Sequence, residues 1–98
     1  MPDVYDLVAT LWQYQGQASW HFVTLPRDVS AEVRSEFGGM AGGFGSLRVE
    51  VTIGGTTFRT SIFPDSKQGA YLLPIKAAVR RAESLQVGDE VRFRLRIR

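Results

Sequence analysis

Few residues in this chain could carry chemistry, and their spacing narrows the choices. His21 is the only histidine and there is no cysteine. Thiolate chemistry and disulfides are therefore absent from the sequence, and a zinc site with one imidazole and no thiolate is improbable. A hydrolase triad needs a base held by a third group. His21 lies between Trp20 and Phe22 in a strand-like run with no carboxylate next to it. It reads first as a structural or half-exposed histidine, then as a ligand hydrogen-bonding group, and least as a catalytic base. Asp28, Glu32 and Glu36 share a helix face and look solvated, so no carboxylate pair stands out for glycoside chemistry. No catalytic residue, metal ligand set or cofactor motif is expected.

Two cationic arrangements remain. Lys76 and Arg80 are four residues apart, so on a helix they project from one face. Together they could hold a carboxylate or phosphate. Arg92, Arg94, Arg96 and Arg98 alternate with apolar residues and place guanidiniums about 7 Å apart on one face of a strand. Such a comb reads first as a basic outer face that protects a strand from edge-to-edge aggregation, and otherwise as a surface that could track a nucleic acid backbone. Trp12, Tyr14, Trp20 and Phe22 form an aromatic group that reads most simply as core, and otherwise as the lining of a pocket or interface.

The elements that must position these residues are short. Tyr5 to Gln15 is strand-like with two largely apolar faces, and Gln15-Gly16-Gln17 is a turn. Ala18 to Leu25 is a second strand, rich in aromatic and β-branched residues. Leu25-Pro26 ends it, because proline cannot donate to a ladder. Asp28 is the expected N-cap of a helix to about Phe37, with Val29, Val33 and Phe37 as its buried stripe. Gly38 to Gly45 holds five glycines in eight residues. It departs from the P-loop pattern, which needs Lys and Ser/Thr directly after its last glycine, and reads as a connector or, less simply, a ligand lid.

Ser46 to Phe63 is a hairpin about Gly54-Gly55, a two-residue turn that tolerates positive φ at both glycines. Its register pairs Ile53 with Thr56, Thr52 with Thr57, Val51 with Phe58 and Glu50 with Arg59. This turns Leu47, Val49, Val51, Ile53, Phe58 and Ile62 inward, and Arg48, Glu50 and Arg59 outward. Pro64 to Gln68 is a polar loop and Gly69 to Leu73 a short strand. A second helix runs from Lys76 to Ser84 with Val79 and Ala82 buried, and Gln86 to Asp89 is a turn. From Glu90 to Arg98, Val91, Phe93, Leu95 and Ile97 alternate strictly with the arginines. Strand–Leu–Pro–helix occurs twice, as a pseudo-repeat or as repeated use of a proline corner. Six strands with two short helices at proline corners predict a mainly β fold, a small closed or nearly closed six-stranded barrel.

At 98 residues and 44% apolar, the chain supports one domain and one core. The longest apolar run is far short of the ~20 residues of a membrane helix, and the N-terminus lacks a basic and apolar signal, so a cytoplasmic location and no membrane partner are expected. Net charge is +2, unevenly placed: residues 1–50 carry three arginines against six acids, residues 51–98 nine bases against four acids. The imbalance is a hint of an anionic partner or of self-association.

Five stretches carry a family resemblance: Ala18 to Pro26 (ASWHFVTLP), Val51 to Thr56 (VTIGGT), Ser61 to Pro64 (SIFP), Tyr71 to Arg80 (YLLPIKAAVR) and Val87 to Val91 (VGDEV). In this order they resemble a bacterial family of small β-barrel domains of unknown function. That family occurs alone or joined to a domain of the bacteriocin-protection (YdeI/OmpD-associated) type. The resemblance implies a six-stranded barrel and supplies no catalytic residue; Gly38 to Gly45 matches least well. With no second domain after Arg98, the barrel is expected to act without a fused partner.

The expectation is thus a non-enzymatic barrel that binds a small anionic ligand or a protein partner through Trp20, His21, Lys76 and Arg80. The alternatives are nucleic-acid binding along Arg92, Arg94, Arg96 and Arg98, and an enzyme with His21 in a pocket.

Overall fold

A computed structural model describes residues 3–16 and 19–98. The strands are β1 (Val4–Thr10), β2 (Trp12–Gln13), β3 (His21–Thr24), β4 (Leu47–Ile53), β5 (Thr56–Asp65), β6 (Ala70–Pro74) and β7 (Glu90–Ile97). The helices are α1 (Arg27–Phe37) and α2 (Ala77–Ala82). The protein is mainly β: one seven-stranded antiparallel sheet in the order β1-β7-β4-β5-β6-β3-β2, rolled into a half-barrel, with two short helices at its corners. Among the described residues no helix is long and apolar enough to cross a membrane.

Strand number differs from the six expected because the first predicted strand is divided at Leu11. The Leu11 side chain is fully buried. Its N–H donates to the Asp89 carbonyl and its own carbonyl accepts from Gly88 N–H, both at 2.9 Å. The turn ahead of β7 thus takes the backbone groups that would have continued one ladder, and the chain bends there. β1 pairs with β7 and β2 with β3, so the two halves lie at opposite ends of the strand order. The predicted start of the second strand at Ala18, like Gln17 of the turn before it, lies outside the described residues.

The hairpin register is as the turn implied: Ile53 faces Thr56, Val51 faces Phe58, and Glu50 faces Arg59. Only Gly54 of the two turn glycines takes positive φ (56°), the pattern of a turn with glycine at its first central position. The Glu83 carboxylate, just past α2, lies over Gly54 and accepts a 2.6 Å hydrogen bond from Thr56 Oγ1. This ties α2 to the β4–β5 turn.

Pro64, expected in a loop, pairs with Tyr71 inside β5. Tyr71 sends its N–H to Ser30 Oγ and its carbonyl to Leu25 N–H, away from β5. Opposite such a residue no ladder donor is needed, and β4 has already ended opposite Ile62 on the other side. Proline therefore costs the sheet nothing at this position. Asp28 lies within the first turn of α1 rather than at its N-cap, which is Pro26. Ala82 is exposed, and Leu85 packs against the core instead.

The core is largely aliphatic. Leu11, Val23, Leu25, Val49, Val51, Ile62, Leu73, Ile75, Val91 and Leu95 are fully enclosed, with Tyr5, Tyr71 and Phe93 as the buried aromatics. Along β7 every second residue from Val91 to Ile97 is buried and the arginines between them are exposed.

Two stability outcomes follow. Phe93→Ala removes a core ring and lowers stability by roughly 3–5 kcal/mol, whereas Arg94→Ala leaves the urea midpoint nearly unchanged; equal losses would overturn the assignment of the faces. Gly54→Ala forces a Cβ into the left-handed region and against Glu83, costing about 1–2 kcal/mol, while Gly55→Ala, with open space around it, is tolerated. Thermal melts of the two variants check this.

Candidate functional site

Ile75 joins the two halves of the site. It is buried directly after β6, its N–H donates to the His21 carbonyl at 2.9 Å, and its own carbonyl accepts from Arg80 Nη1 at 2.6 Å. The first bond extends the β3–β6 ladder past Phe22–Pro74 and fixes His21 against the corner. The second holds the Arg80 guanidinium back over the start of α2, and among the described residues its remaining N–H groups have no partner. Lys76 occupies the N-cap of α2, one turn before Arg80.

Trp20, His21, Lys76 and Arg80 all line one depression of about 320 Å³, with the buried Pro74 and Ile75 beneath. The structure therefore brings together the four residues singled out from the sequence. Among the described residues no carboxylate lines this depression, and no ion pair involves Lys76 or Arg80. His21 Nδ1 lies 2.9 Å from the Ser19 carbonyl. A carbonyl only accepts, so Nδ1 carries the hydrogen, and Nε2 of the neutral ring is left as an acceptor. A carbonyl thus stands where a triad would place its carboxylate.

The aromatic group is not core. Trp20 is 53% exposed and its ring stacks on Phe22, centroids 5.9 Å apart and planes within 7°. Phe22 in turn meets Trp12 at 5.2 Å in a tilted contact. Trp12 Nε1 donates to Thr24 Oγ1, Thr24 Oγ1 donates to Gln68 Oε1, and Gln68 Nε2 donates to Asp65 Oδ2. These bonds anchor the lower rings on the outer face of the sheet and leave Trp20 uppermost. Tyr14 is exposed as well. The polar tip of Trp12 explains the placement: a buried indole N–H needs a partner, which the outer face supplies.

The arginine comb is interrupted by acids on the neighbouring strands. Arg94 makes a two-pronged contact with Asp6 of β1, Nε to Oδ1 at 2.8 Å and Nη2 to Oδ2 at 3.3 Å. Arg96 donates to Glu50 of β4 at 3.2 Å, and Glu50 also lies 3.6 Å from Arg59. Arg92 shares a shallow depression with the Asp6–Arg94 pair. Arg98 lies at the far end, bonded through its backbone N–H to the Arg48 carbonyl. The four arginines share one face, as expected, but not one uninterrupted row of unmatched charge. Sequence spacing along β7 carries no information on which acids the neighbouring strands place opposite.

The glycine-rich stretch forms two 3-10 turns, Gly38–Met40 and Gly43–Gly45, with Phe44 fully exposed at positive φ. It contributes nothing to the depression beside His21.

A family described as a domain of unknown function, DUF1905, matches residues 8–95. The chain belongs to the DUF1905 family. No curated protein matches it. The DUF1905 match spans the aromatic group, Ile75, Lys76 and Arg80, and stops before Arg96 and Arg98. Its description assigns no activity, so the reading of the site rests on the geometry of this DUF1905 domain.

The hydrogen bonds from Arg94 hold the Asp6 carboxyl below the usual carboxylate range, and Asp6 raises Arg94 in return. A depressed folded-state value means the pair's contribution is present above the ordinary carboxylate pKa and fades as pH falls through the lowered one. Asp6→Asn should abolish that acid-side component, read as a flatter dependence of melting temperature on pH below the ordinary carboxylate range, and high salt should diminish it.

Proposed function

We propose that this DUF1905 domain is a binding module for a small planar anion, free or carried by a protein partner, held between Trp20, His21, Lys76 and Arg80. The observation that carries this is the convergence of two cations without carboxylate partners and an exposed, stacked indole on one depression. Lys76 is exposed and Arg80 half-buried; two such cations without carboxylate partners beside an aromatic face are complementary to an anion with a flat body. Arg80, held through Nη1, keeps its other N–H groups for an oxyanion. Lys76 adds a mobile point charge. The indole face takes the apolar part of the ligand, and His21 Nε2 is available to accept from a hydroxyl or amide. A volume of about 320 Å³ fits a small ligand rather than a dinucleotide.

The scaffold in this reading is a six-stranded barrel in which β1 and β2 count as one strand bent at Leu11. Support comes from their succession in the chain and their places at the two ends of the strand order. An enzymatic reading has less support, since the Ser19 carbonyl rather than a carboxylate orients His21.

Phenyl phosphate is a suitable probe. Titrated into isotope-labelled protein, it should give saturable NMR shifts at the Trp20 indole N–H and at the His21 and Ala77 amides. Lys76→Ala should weaken binding about fivefold, the equivalent of ~1 kcal/mol for a half-exposed charge contact. Trp20→Leu should weaken it further. Absence of saturation at 10 mM, or shifts confined to β7, would overturn the reading.

A further inference from the structure

The depression beside His21 is not isolated. Trp20, Pro74 and Lys76 also form one wall of a second, larger depression of about 450 Å³ on the outer face of the sheet. Its other charged and aromatic walls are Arg48, Arg59, Arg98 and Phe63. Here strands from distant parts of the chain lay cations and aromatic rings side by side. β5 alternates Arg59, Ser61 and Phe63 on its outer face, about 7 Å apart along the strand. Arg48 of β4 stands opposite Ser61, and Arg98 follows one strand further on, bonded to the Arg48 carbonyl. Phe63 is 39% and Trp20 53% exposed. Among the ion pairs of the described residues none involves Arg48, Arg98 or Lys76, and Arg59 has only the 3.6 Å contact to a Glu50 that it shares with Arg96.

We infer that this face binds single-stranded nucleic acid, with the backbone over Arg48, Arg59, Arg98 and Lys76 and unpaired bases against Trp20 and Phe63. Three features select that occupant. Several guanidiniums at strand spacing match a repeating polyanion better than a single anion. Exposed rings flanked by cations are what base stacking uses, and stacking tolerates any base. The described lining is drawn from the sheet and the residues at its ends, with none from either helix, and bases paired in a duplex are not free to stack on Trp20 and Phe63. The footprint differs from the Arg92–Arg98 comb: Arg94 and Arg96 are matched by Asp6 and Glu50, and only Arg98 of the four lies in it. The inference goes beyond the small-anion site, which turns on Arg80 and His21; this one turns on Arg48, Arg98 and Phe63.

The test is fluorescence anisotropy with labelled twelve-residue dT and rA oligonucleotides and a duplex of equal length, across a salt series. Single strands should bind more tightly than the duplex, with a log–log salt slope of about −2 to −3, three to four phosphates at about −0.7 each. The double variant Arg48→Gln/Arg98→Gln should make the slope shallower by about 1.4, while Arg48→Lys/Arg98→Lys retains it with an unchanged melting temperature, which separates charge from folding. Trp20→Ala should weaken binding about 5- to 150-fold with little change in slope. Arg92→Gln should leave oligonucleotide affinity within about twofold. No binding of single strands at low salt, tighter binding of the duplex, or a larger loss from Arg92→Gln than from the Arg48/Arg98 double variant would overturn the inference. Phenyl phosphate binding measured alongside tells the two sites apart: its survival without oligonucleotide binding leaves the small-anion site standing and this one refuted.

Discussion

The site depends on the peptide group arrangement of one buried residue. Ile75 gives its N–H to His21 and its carbonyl to Arg80, so a single point fixes β3, the end of β6 and α2 relative to one another. Pro74 just before it presets the corner and pairs with Phe22, which carries Trp20 on its outer side. A six-residue helix is too short to be stable alone. It persists because Val79 is buried beneath it, Arg80 closes back on the corner, and Glu83 reaches the β4–β5 turn through Thr56. The spacing of Lys76 and Arg80 has meaning only on that anchored turn of helix.

Charge follows the same logic of distant segments brought together. The acidic first half and basic second half of the chain do not form two separate patches, because β7 is laid between β1 and β4. Asp6 and Glu50 thereby meet Arg94 and Arg96, and the middle of the arginine comb is matched. Part of the remaining positive charge, Arg48, Arg98 and Lys76, lies together beside Trp20 and Phe63. Both candidate sites draw on that charge, and Trp20 stands between them.

Much of the fold is legible locally. The β4–β5 register follows from two glycines and a period of two, and the inward set Leu47, Val49, Val51 and Ile53 is buried as that register requires. The alternation of β7 needs no partner to be read, since one face of eight residues is apolar and the other is not. The Lys76–Arg80 pair and its proximity to Trp20 and His21 were within reach because two proline corners bound the strands that carry them. The break at Leu11, Pro64 inside a strand and the outward turn of the aromatic group were not, since each depends on a hydrogen-bond partner far away in the chain: Asp89 and Gly88, Tyr71 with Ser30 and Leu25, and Thr24 with Gln68.

By itself, then, the sequence determined the type of most elements, the buried faces of the long strands and the one-turn spacing of Lys76 and Arg80. These rest on local periodicity, on proline and glycine backbone limits, and on helix spacing, all of which act over a few residues. Tertiary structure decided the strand order, which arginines are neutralised and which rings are exposed. Those outcomes are set by ladder pairing between segments up to 88 residues apart, as for Asp6 and Arg94, and no local pattern encodes which strand will lie beside which.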